Sequence, residues 1–132
     1  MRWQGTSLLD APTPATFTDG ALEFGAQRLR FVSEDPADLR AVAPDGRAFR
    51  LRKAGLTVAG YVADCDGRTY RVNRTGGKRR EIIDASGAIA ATTRGLLDGS
   101  LEIRPAGELT LDLAFISWAL TYVDAPARRT LR

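Results

Sequence analysis

Histidine is absent from this 132-residue sequence, and cysteine occurs once, as Cys65. The first absence removes Ser-His-Asp and Cys-His nucleophile pairs, and with them imidazole as a general base near neutral pH. Together with the lone cysteine it excludes the usual Cys/His zinc sites, and one cysteine cannot close an intrachain disulfide. An enzyme built on this chain would rely on carboxylates, Lys, Tyr or a bound cofactor. No cofactor is expected, because no motif for one is present. Long apolar runs are missing too. The stretch 113–123 is interrupted by Ser117 and Thr121, and it falls well short of the ~20 residues that span a bilayer. The opening Met1-Arg2-Trp3-Gln4-Gly5 lacks the charged-then-apolar plan of a secretory signal. A cytoplasmic protein is therefore expected, without a transmembrane segment and at most peripheral to a membrane.

What is present describes one β-rich domain spanning 1–132. The apolar fraction of 44% and charged fraction of 27% are ordinary for a folded domain, which argues against disorder. A chain of this length buries roughly two-thirds of its unfolded surface, enough for a core without staples. Residues 1–20 read as an extended start near Trp3 followed by a loop, because Pro12, Pro14 and Asp19-Gly20 punctuate them. From Ala21 to Arg104 strand patterns dominate.

The clearest regularity there is a repeat. Val42-Ala-Pro-Asp-Gly-Arg-Ala-Phe-Arg-Leu-Arg returns as Val62-Ala-Asp-Cys-Asp-Gly-Arg-Thr-Tyr-Arg-Val. Asp-Gly suits tight hairpin turns because Gly adopts positive φ without a Cβ clash. Ile82-Ile-Asp-Ala-Ser-Gly-Ala-Ile89 reads as a degenerate third copy with its apolar parity shifted by one. The repeat reflects hairpin spacing rather than duplicated function.

The chain then changes character. Residues 108–124 are apolar on nearly every side, with Thr110, Ala114, Ser117 and Thr121 on one narrow stripe at 100° per residue. We read a buried helix, since a segment longer than ten or so residues favours helix over strand. A tail anchor and a last sheet strand are the competing readings. The first is opposed by length and by Asp112, and the second is supported by the alternation from Leu109 to Leu113. Glu108 is expected to complement the helix dipole, Pro126 to end the helix, and 125–132 to form a basic tail. The fold class is accordingly mainly β: an antiparallel meander closing into a barrel or half-barrel around a C-terminal apolar helix.

This plan resembles the tubby C-terminal-like superfamily, which includes the LURP-one-related proteins and the phospholipid scramblases. The resemblance is carried by Tyr61-Val-Ala-Asp-Cys-Asp-Gly-Arg, Ile82-Ile-Asp-Ala-Ser-Gly-Ala-Ile-Ala and Leu109-Thr-Leu-Asp-Leu-Ala-Phe-Ile-Ser-Trp-Ala-Leu. It implies a closed antiparallel barrel around a central helix and a general orientation toward lipid. The sequence holds no match to the phosphoinositide motif of tubby domains or to a scramblase calcium segment. No functional residue is therefore carried over.

Charge supplies the functional candidates. Residues 47–80 hold ten cations against Asp64 and Asp66, so the chain's whole positive excess lies there. If Phe49, Leu51, Tyr70 and Val72 face the core, Arg50, Arg52 and Arg71 face out. Arg74, Lys78, Arg79 and Arg80 are expected to splay freely around Gly76-Gly77. These seven are the candidate anion-binding residues, Arg offering forked donors and Lys a point charge. The bland alternative is that they only solvate strand faces. An anionic lipid surface or another polyanion is the expected partner. A protein partner met through an open sheet edge or the N-terminal segment is the alternative, and a carboxylate- or cofactor-dependent enzyme ranks below both. Sequence-specific nucleic acid is disfavoured, since aromatics are not interleaved on the outward parity.

Lesser candidates are soon exhausted. Asp64-Cys65-Asp66-Gly67 starts like a calcium loop but continues with Arg68 and Tyr70 and has no later bidentate Glu, so it reads as a turn. Arg68 beside Cys65 would depress a thiol pKa. Glu34, Asp35 and Asp38 form an acidic loop that reads as a solvated turn. Catalytic residues and metal ligands are expected to be none.

Overall fold

Alternation of apolar and polar residues organises nearly the whole chain. The computed structural model describes residues 1–55 and 59–126. Twelve strands follow one another: β1 (Arg2–Gln4), β2 (Ser7–Leu9), β3 (Ala15–Thr18), β4 (Ala21–Phe24), β5 (Gln27–Asp35) and β6 (Asp38–Val42); then β7 (Ala48–Lys53), β8 (Gly60–Cys65), β9 (Arg68–Gly76), β10 (Arg79–Ile83), β11 (Ile89–Gly95) and β12 (Leu101–Pro105). A single helix, α1 (Leu111–Asp124), ends the described chain. Each strand pairs antiparallel with its sequence neighbours, and β12 pairs back onto β1, so the meander closes into a barrel. Closure removes the free edges an open sheet would expose. Of the two sequence expectations, barrel or half-barrel, the closed form is the one adopted.

Residues 1–20 differ from expectation. The extended start near Trp3 is β1, but the predicted loop after it contains β2 and β3, and the three together complete the barrel wall. These strands are three or four residues long, too short for alternation to be legible against the surrounding Gly and Pro.

The Asp-Gly turns are hairpins, as the repeat implies, yet its two best copies close differently. Between β8 and β9, Asp66 and Gly67 both take positive φ (54° and 90°), forming a two-residue loop. Between β6 and β7, Ala43 and Arg47 bracket three residues, with only Gly46 at positive φ. The third copy follows this second pattern: Gly87 N–H donates to the Asp84 carbonyl, and Asp84 N–H to that of Ala88. A three-residue loop shifts strand parity by one relative to a two-residue loop.

The helix occupies the barrel interior. All its residues are buried except Val123, which is partly so. Side chains reach it from around the wall: Trp3 of β1 and Phe17 of β3 meet Trp118, while Phe31 of β5 and Phe49 of β7 meet Phe115. Trp3 Nε1 also donates to Ser117 Oγ at 2.9 Å, so the small-residue stripe admits a polar tie. The helix starts three residues later than the sequence indicates. Thr110 is extended (φ −109°, ψ 167°) and its hydroxyl accepts from Leu113 N–H as N-cap. Leu109 and Thr110 therefore belong to the approach, and Asp112 rather than Glu108 meets the positive helix end. Among the described residues no helix is long and apolar enough to cross a membrane. Most of the expected basic tail, 127–132, lies outside the described residues.

Candidate functional site

Strand parity exports most of the seven cations. On β7, Phe49 and Leu51 point inward and are buried, leaving Arg50 and Arg52 exposed; on β9, Val72 is buried and Arg71 exposed. Arg52 lies opposite Val62 of β8, and Val62 opposite Arg71. The two arginine stems thus leave the wall two strand spacings apart, roughly 10 Å. Arg50 is differently placed. Its guanidinium donates to both Asp38 oxygens, at 2.8 and 3.0 Å, and Arg40 approaches the same carboxylate at 3.7 Å. The Arg50 hydrogen bond holds the Asp38 carboxyl below its usual range and raises the Arg50 guanidinium. Arg50 is therefore largely compensated where it stands.

A second group lies at the β9–β10 tip. Arg79 pairs with Gly76 and Arg80 with Arg74, so Thr75 is an extra, bulged residue. Arg74, Lys78 and Arg79 are exposed there. Among the described residues, Arg52, Arg71, Arg74, Lys78 and Arg79 make no ion pair. Two shallow depressions flank the tip. One, of about 490 Å³, is lined by Lys78, Arg79, Arg94 and Gly95. The other, of about 240 Å³, brings Arg79, Arg94 and Arg104 beside Glu81 and Glu102. In it Glu102 pairs with both Arg94 and Arg104 at 3.3 Å.

Arg80 corrects the expectation that it splays freely with its neighbours. It is 1% exposed and donates through Nε and Nη2 to Asp124, at 2.7 and 3.1 Å, with its guanidinium over the Tyr61 ring. The alternation of β10 explains the inversion, for Arg80 stands two residues before buried Ile82 and shares its inward parity. Arg68, which the sequence reading set beside Cys65, does the same work at the other helix end. Its Nε and Nη2 reach Asp112 at 2.7 and 3.0 Å, and Tyr70 Oη donates to Asp112 at 2.6 Å. The two arginines are twelve residues apart, and so are the two aspartates. A signal was available: two carboxylates inside an apolar helix require buried partners. Matching the two spacings would have found them.

Arg68 does not activate Cys65. Burial pushes the thiol well up, and Asp112 adds to the effect. Asp64 accepts from Gly67 N–H, which makes the Asp64–Gly67 segment a turn, and no cluster of possible metal ligands occurs among the described residues. The acidic loop is divided among separate partners: Glu34 accepts from Tyr122 Oη, Asp35 from Ala37 N–H, and Asp38 from Arg50.

The site that emerges is a cationic outer surface in two parts, the β7–β9 wall and the β9–β10 tip, around a barrel filled by its own helix. Comparison with protein-family models, curated proteins and solved structures gave no match for this chain.

Proposed function

We propose that this barrel is a non-enzymatic domain that engages an anionic membrane surface through its outward cations. The observation that carries the reading is the division of space. The helix fills the interior where a barrel ligand would sit, while Arg52, Arg71, Arg74, Lys78 and Arg79 stand exposed without ion pairs among the described residues. Exposed cations outside ion pairs are drawn to acidic lipid at about 1 kcal/mol each near the surface, an attraction that salt screens. The closed barrel with its C-terminal helix also supports the tubby-like reading of the fold, and with it a lipid-facing role at the cytoplasmic side of a membrane.

Co-sedimentation with vesicles tests this. The protein is expected to bind phosphatidylcholine vesicles only when they contain phosphatidylserine, and to release as salt rises. Reversing Arg71, Arg74 and Arg79 to Glu removes three attractions and adds three repulsions, so affinity should fall by roughly a hundredfold or more. Equal binding to neutral vesicles, or an unaffected triple variant, would sink the proposal.

A further inference from the structure

The antiparallel meander sends alternate hairpins to opposite barrel ends. The β9–β10 and β11–β12 tips therefore stand side by side, at the end where α1 terminates. Their contact is close. Gly95 N–H donates to the Lys78 carbonyl at 3.0 Å, and a Cβ on Gly95 would lie 2.8 Å from Lys78 Cδ. The stem of Lys78 thus lies across the neighbouring hairpin. At the apex of that hairpin stands Leu97, fully exposed, whereas the other large apolar side chains that reach solvent among the described residues are at least half covered.

A single exposed leucine is ordinary on a protein surface. Its surroundings are what give this one a direction. Arg74, Lys78 and Arg79 are exposed on the adjoining tip, and Arg94 lies at the base of Leu97's own hairpin. Asp98, next to Leu97, is turned back and accepts from Ser100 N–H at 2.9 Å. The opposite half of the same barrel end is acidic, with exposed Asp19, Glu34 and Asp35 at the β3–β4 and β5–β6 tips.

We infer that the paired β9–β10 and β11–β12 tips are the edge that meets an acidic bilayer, with Leu97 entering the boundary between headgroups and acyl chains. The inference rests on the membrane reading above and adds an orientation to it. Lys78, Arg79 and Arg74 lie against the lipid headgroups, their stems following the apolar side while the charges stay in the polar layer. Repulsion of Asp19, Glu34 and Asp35 tilts the barrel onto this one edge.

The test uses vesicles of phosphatidylcholine and phosphatidylserine and an environment-sensitive NBD label. The label is placed on Leu97→Cys or, as reference, on Ile89→Cys at the opposite barrel end; Cys65 is buried and stays unlabelled in the folded protein. Vesicles should blue-shift and brighten the label at position 97 and leave that at 89 unchanged. Leu97→Glu should weaken binding about tenfold, since burying a leucine side chain stabilises by an amount of that order, and its far-UV spectrum should match the parent's. If the parent binds acidic vesicles while the label at 97 stays unmoved, or Leu97→Glu binds as tightly, the orientation is overturned and the basic-surface reading stands. Absence of binding to any acidic vesicle overturns both.

Discussion

Neighbouring arginines in one run have opposite duties here. Arg79 faces water, whereas Arg80, one residue along the chain, is sealed inside with Asp124. That pair also offsets an unfavourable placement, because Asp124 puts a negative charge at the negative end of a helix dipole. Replacing Arg80 with Met leaves the aspartate buried without a counter-charge, which typically costs about 3–5 kcal/mol. Urea unfolding should show that loss for Arg80→Met, substantial recovery in the Arg80→Met/Asp124→Leu double variant, and a change within about 0.5 kcal/mol for Arg79→Gln. Equal losses at positions 79 and 80 would contradict the assignment.

The helix and its seat are matched at both ends. Thr110 caps the start, Arg68 and Tyr70 hold Asp112, and Arg80 holds Asp124. The far end also needs space. A Cβ on Gly95 would come within 2.8 Å of the Asp124 carbonyl oxygen, a backbone atom with little freedom to move. Gly95→Ala is therefore expected to push the end of α1 off the wall and to lower stability by about 1–3 kcal/mol. Thermal unfolding checks this directly. Hydrogen exchange should show the increase concentrated in the last turn of α1 and in β11, because both share the displaced contact.

For the molecule as a whole, a buried thiol and a partly buried phenol set its response to alkali. Burial raises the Cys65 thiol from 9.0, and burial together with the Asp112 hydrogen bond raises the Tyr70 phenol from 10.0. Both groups hold their protons more tightly when folded. Above the unfolded-state values the unfolded chain binds fewer protons, so stability is fully present below about pH 9 and declines as pH rises beyond it. The urea midpoint should be level from about pH 7 to 8.5 and then fall toward about pH 10.5. Cys65→Ala should flatten the earlier part of that fall, whatever it does to stability at neutral pH. A profile that stays level to about pH 10.5 would show that the fold does not hold either proton more tightly than the unfolded chain does.

Local pattern carried far in this chain. The Asp-Gly turns, the inward Phe49, Leu51 and Val72, the outward Arg50, Arg52 and Arg71 and the apolar C-terminal segment were legible because each follows from period or turn chemistry within a few residues. β2 and β3 were not, being too short to show a period, and they exist as strands because closure supplies partners on both sides. Nor was the fate of Arg80, which depends on where β10 begins and on an aspartate forty-four residues away. Parity along a strand is local and is written in the residues. Which charge is sealed inside and which meets the solvent depends on contacts across the barrel, and only folding brings those together.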